Sequence, residues 1–80
     1  MKVIVKTQSG SRYIFMSKGK EVRVIRNYTQ EGIMAEEVEI EMGKPVEIKA
    51  YMLNAYNYNQ EADVSYWRST PVVKVTISEG

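Results

Sequence analysis

Apolar side chains recur at every second position along this chain, and that period constrains its fold more than any other feature. In residues 21–27, EVRVIRN, Val22 and Val24 share one face while Glu21, Arg23 and Ile25 share the other. A strand sends successive side chains to opposite sides, so this alternation is what a half-buried strand requires. The same period marks KVIVKT at 2–7, with Val3 and Val5 together, and RYIFM at 12–16 reads as a second strand. It returns in EVEIEM at 37–42, where Val38, Ile40 and Met42 face in and Glu37, Glu39 and Glu41 face out. VEIKAYML at 46–53 puts Val46, Ile48, Ala50 and Met52 inward, and VVKVTIS at 72–78 puts Val73, Val75 and Ile77 on one face. VSYWRS at 64–69 precedes Thr70-Pro71, which marks an edge or bulge because proline cannot donate to a ladder.

Turn chemistry separates these runs. Gly10 in QSGS and Gly19 in SKGK can take the positive φ of a tight hairpin, and GKP at 43–45 adds a third turn. YTQEGIMAEE at 28–37 holds no period and reads as a loop with a helical turn near 33–37. Six or seven short strands at such spacing predict an all-β fold, a small antiparallel barrel or roll, in one domain spanning 1–80. Closure into a barrel is expected over a sandwich because it removes exposed edges.

Composition narrows the chemistry. The 80 residues include no cysteine and no histidine. Disulfides, thiolate chemistry and Cys-ligated metals are thereby excluded, along with the commonest general base and metal ligand. Ser9 and Ser11 flank Gly10 without a histidine to activate either, and no phosphate-binding glycine motif is present. An enzyme is not expected, nor a cofactor or metal. No apolar run approaches the ~18 residues of a spanning helix, and MKVIVKT lacks the core of a signal peptide. The expected location is the cytoplasm, with no membrane partner.

Net charge is +1 but unevenly spread: residues 1–26 carry +6 and residues 27–48 carry −5. Glu37, Glu39 and Glu41 would stand about 7 Å apart on one strand face. Carboxylates so placed diverge from a common centre, so pairing with the basic strand RVIR is expected in place of a cation site.

Five of the eight aromatic residues, Tyr51, Tyr56, Tyr58, Tyr66 and Trp67, fall within 51–67. Tyr51 lies on the face opposite Ile48 and should be exposed. Tyrosine combines a large contact area with a polar handle, so Tyr51, Tyr56, Tyr58 and Tyr66 are candidate binding residues. Tyr56 and Tyr58 could equally pack on the core, and Trp67 is expected to fill core volume.

VKTQSGSRYIF near the start and WRSTPVVKV near the end resemble the terminal segments of short uncharacterised β proteins of bacteriophages and other mobile elements. The resemblance covers about a quarter of the chain, through a Thr-x-Ser-Gly-Ser-x-Tyr turn and a Ser-Thr-Pro-Val strand. It implies a small β-barrel-like fold, no catalytic residues, and the cytoplasm of an infected host as the setting.

The leading expectation is therefore a non-enzymatic binding protein with a protein partner, a host protein in the phage setting, and with self-association as a component. One alternative is a nucleic-acid-binding module using Arg12, Arg23 and Arg26 on the basic N-terminal strands together with the tyrosines. A second is nucleotide or small-molecule capture at an interface between protomers.

Overall fold

The glycine turns form as expected: Gly10 and Gly19 adopt φ of 91° and 63°. They join β1 (Lys2–Thr7) to β2 (Arg12–Lys18) and β2 to β3 (Glu21–Arg26). The computed structural model describes residues 1–52 and 64–79. Four further strands follow, β4 (Gln30–Met34), β5 (Glu47–Met52), β6 (Val64–Arg68) and β7 (Val72–Ser78). All seven lie in one sheet of order β6-β5-β4-β3-β2-β1-β7, with every neighbouring pair antiparallel. No helix occurs among the described residues. The sheet is not closed: β6 and β7 are its two edges.

At one corner the segment leading into β5 bonds both to Ser69, just past β6, and to the start of β7. Val46 and Ser69 exchange bonds there, the Ser69 amide donating to the Val46 carbonyl and the Val46 amide to Ser69 Oγ, each at 2.9 Å. Beside them the Gly43 amide donates to the Val72 carbonyl at 2.8 Å, and the Val72 amide to the Lys44 carbonyl at 3.0 Å. Against this corner sits the β1–β2 turn. The Gln8 amide donates to the Pro71 carbonyl, and the Ser9 amide to Thr70 Oγ1, both at 2.9 Å. The two terminal motifs thus meet in space as one joint, so the turn and the Ser-Thr-Pro corner are residue types that this contact uses.

The inner face of the sheet carries the core: Val5, Tyr13, Phe15, Val24, Ile48 and Ala50, joined by Val46 and Val72. Ladder partners confirm the shared face, since Val5 opposes Tyr13, Phe15 opposes Val24, and Ile48 opposes Trp67.

Four local expectations are corrected. Residues 30–34, read as loop or helical turn, form β4. Gly32 takes the inward position opposite Val24, where a sequence pattern registers no apolar side chain. Residues 37–42, read as a strand, have no ladder; they cross from β4 to the start of β7, where Met42 makes one parallel bridge with Val72. Val38 and Ile40 still pack against the core, so the alternation records a one-sided cover and not a strand. Third, Val73 is 52% exposed while Val72 is buried. Thr7 opposes Val72 and Lys6 opposes Lys74, so the register shifts by one residue at a bulge and turns Val73 away from the core. Fourth, of the glutamates of 37–41 expected to pair with RVIR, Glu41 instead meets Lys44 at 2.8 Å, and Arg23 of RVIR meets Glu31 at 3.3 Å. The predicted inward position of the Met52 side chain lies outside the described part of the structure.

Candidate functional site

Several strands are apolar at three or more consecutive positions, as in Val3-Ile4-Val5 and Tyr13-Ile14-Phe15-Met16. Such runs supply both faces of a strand at once. In this sheet the second set faces outward. Ile4 opposes Ile14, Ile14 opposes Ile25, Arg23 opposes Met16 and Ile33, and Ile33 opposes Tyr51, which opposes Val64. The register therefore assembles one apolar band across the outer face, from β1 to β6. Ile4, Ile14, Met16, Ile25, Ile33 and Val64 are half-buried, and Tyr51 is 41% exposed. Among the described residues no other strand lies across this band.

Tyr51 and Tyr66 both stand on this outer face, on neighbouring strands, and Tyr66 is 73% exposed. Lys49, directly opposite Tyr66, holds its ammonium 5.7 Å from the Tyr66 ring centroid. The same ammonium donates to Glu36 Oε1 at 3.3 Å. That hydrogen bond, with the electrostatic influence of the neighbouring Tyr66, raises the Lys49 pKa above its ordinary value. Lys49 thus steadies the Tyr66 ring at the rim of the band. Tyr56 and Tyr58 lie outside the described residues.

The two candidate arginines separate. Arg23 sits in the outer band, tied to Glu31. Arg26 faces inward, opposite Tyr13 and Gln30, with its guanidinium 5.5 Å from the Trp67 ring centroid. Trp67 is half-buried, packs against the core, and lies 6.4 Å from the Tyr13 ring at a tilted angle. Arg26 donates to Gln30 Oε1 at 3.2 Å, while its buried Nε has no hydrogen-bond partner among the described residues. It caps Trp67 and does not share a basic track with Arg23.

A groove of about 700 Å³ opens beside β5 and β6, lined by Glu36, Glu37, Glu39, Glu41 and Glu47 with Lys44, Lys49 and Arg68. Three of these glutamates are bound in ion pairs, Glu36 to Lys49, Glu41 to Lys44 and Glu47 to Arg68. Among the described residues no group of three or more acidic side chains is placed to hold a metal ion. The Ser9 and Ser11 hydroxyls meet each other, and Ser9 meets those of Thr7 and Thr70. No base capable of activating them appears among these contacts.

The sequence names Tyr51 and Tyr66 as candidates, and the structure shows both exposed beside a band that alternation alone does not reveal. The signal was present in the consecutive apolar triplets, which one-faced alternation had absorbed into the core. Among the described residues no helix is long and apolar enough to cross a membrane. Compared with known proteins, the chain matches no family model, and no curated protein or solved structure is significantly similar to it.

Proposed function

We propose that the protein is a non-enzymatic binding module that docks a partner protein on the outer face of its sheet, with Tyr51 and Tyr66 as anchors. The observation that carries this reading is the apolar band from Ile4 to Val64, which the register places on a face no described strand covers. A contiguous apolar band that no described strand covers, half-buried and bordered by the exposed Tyr51 and Tyr66, has the character of an interaction surface. Tyrosines at its border match the residue preference of interface hot spots. A small core also gains from added burial, so a second copy of the chain is one occupant of the same face. The resemblance of the terminal segments to phage proteins adds a setting, a host protein as partner in the host cytoplasm, and adds no site residue. Tyr56 and Tyr58 remain candidates for the same surface.

The test compares the wild type with the Tyr51→Ala/Tyr66→Ala double variant, using affinity capture from the native cell and sedimentation for self-association. The expected result is an unchanged far-UV spectrum, with affinity for the captured protein lowered at least tenfold, the threshold of about 1.4 kcal/mol. A double variant that captures the same protein with the same affinity would overturn the assignment.

A further inference from the structure

Three basic side chains form one row across the outer face at the end of the sheet nearest the β1–β2 turn. Lys6 on β1 is directly opposite Lys74 on β7 and directly opposite Arg12 on β2. Residues so paired share a face, and neighbouring strands are about 5 Å apart, so three positive charges span about 10 Å. Lys6 and Lys74 are exposed, and among the described residues no acidic side chain forms an ion pair with any of the three. Like charges directly across a ladder destabilise the pair. The fold therefore tolerates a repulsion between directly opposed cations here.

The row ends on an aromatic ring. The Arg12 guanidinium lies 5.1 Å from the Tyr28 ring centroid and donates from Nη1 to the Tyr28 hydroxyl. Tyr28 is nevertheless 67% exposed, so much of its ring is open to a ligand. Its backbone adds an independent observation. The Thr29 amide donates to the Arg26 carbonyl, closing a turn whose central residues, Asn27 and Tyr28, have φ of 48° and 68°. Asparagine tolerates the left-handed region, but glycine is the usual second residue of such a hairpin turn, and a bulky aromatic there is strained. Strain retained at a surface residue with no core role points to a binding role.

We propose that Lys74, Lys6, Arg12 and Tyr28 form a binding site for single-stranded nucleic acid, the cations following successive phosphates and Tyr28 stacking on a base. A cationic track ending on an exposed ring is the pairing used for single strands. An acidic peptide or an anionic bilayer would engage the charges without using the strained aromatic. The site differs from the Arg12, Arg23 and Arg26 grouping, whose members the sheet places on two faces. It also lies apart from Tyr51 and Tyr66, so it stands or falls separately from the protein-docking reading.

Fluorescence anisotropy with a labelled oligothymidylate tests the site. The logarithm of affinity should fall against the logarithm of salt with a slope of about −2, from three phosphates at about 0.7 each. Lys6→Ala and Lys74→Ala should each reduce that slope by about 0.7. Tyr28→Gly should weaken binding about tenfold without lowering the melting temperature, and Tyr51→Ala/Tyr66→Ala should leave it unchanged. Amide chemical shifts of the wild type on titration should move at residues 6, 12, 28 and 74, which locates the site even if a variant fails to fold. No binding at about 50 mM salt, shifts confined to other residues, or equal retention by phosphatidylserine vesicles or polyglutamate would overturn the proposal.

Discussion

Tyr28 and Ile48 show how differently two residues contribute to this protein. Ile48 is buried on the inner face opposite Trp67 and beside Ala50, in a core with eight buried apolar residues among those described. Truncation there leaves a cavity that few neighbours can fill, so Ile48→Ala should cost about 3 kcal/mol, read from the denaturant midpoint. For a domain this size that is a large share of total stability. Tyr28 is the opposite case. Its left-handed backbone costs a non-glycine residue about 1–2 kcal/mol, part of which the greater unfolded-state freedom of glycine offsets. Tyr28→Gly should therefore stabilise the fold by about 0.5–1 kcal/mol in the same measurement. A loss of stability would mean that the ring's contact with Arg12 outweighs the backbone strain. The sequence showed Ile48 by period alone, but Tyr28 looked like an unremarkable loop residue. Its strain exists only because the β3–β4 hairpin closes around it.

Among the elements, β7 departs furthest from its sequence pattern. Alternation pairs Val73 with Val75, yet the bulge between Val72 and Lys74 makes Val72 the buried residue. Both registers satisfy a period of two, and the choice between them is made at the corner, where Val72 bonds to Gly43 and Lys44. Ser69 fixes the same corner, its Oγ accepting from the Val46 amide at 2.9 Å and donating to the Thr70 carbonyl at 2.7 Å. Ser69→Ala would leave the Val46 amide buried without a partner, which costs about 1–3 kcal/mol. Denaturant unfolding and slower or faster exchange of the Val46 amide report the outcome. An unchanged midpoint with an unprotected amide would show that water replaces the hydroxyl. β4 was illegible for a related reason: its inward residue is Gly32, and its ladder comes from β3 and β5, not from its own composition.

At the scale of the molecule, charge is sorted into a basic row at one end of the sheet and an acid-lined groove beside β5 and β6. Of the titrating groups, Lys49 has a pKa raised above 10.5, first by its hydrogen bond to Glu36 and then by Tyr66. A raised lysine pKa favours the folded state while the group is protonated. That contribution is complete below 10.5 and fades as pH rises through the folded value. The melting-temperature difference between wild type and Lys49→Met should hence be constant from about pH 7 to 9 and shrink only above the ordinary lysine range. A difference that changed within the neutral range would assign the effect to another group, although the sequence has no histidine to provide one. The open edge of β7 adds a second molecular property. Ile77 is 66% exposed on a seven-residue edge strand that carries Lys74 as its one charge. Ile77→Lys should reduce concentration-dependent aggregation, measured by light scattering, because a charge on an edge strand opposes pairing with another chain.

By itself the sequence determined an all-β chain with short antiparallel hairpins, the inward placing of Val5, Val24, Val46, Ile48 and Ala50, and the exposure of Tyr51, whereas Val22, expected inward, is 37% exposed. These follow from period two and from glycine at the turns, which are local properties of a strand. The tertiary structure alone decided that the sheet stays open, that 37–42 covers the core without joining a ladder, and that β7 bulges. It also decided which outward residues become neighbours. Cross-strand register sets those neighbours, and register depends on partners distant in sequence. That is why Lys6, Arg12 and Lys74 form a row, and why the apolar triplets form a band, though neither can be seen in any one segment of the chain.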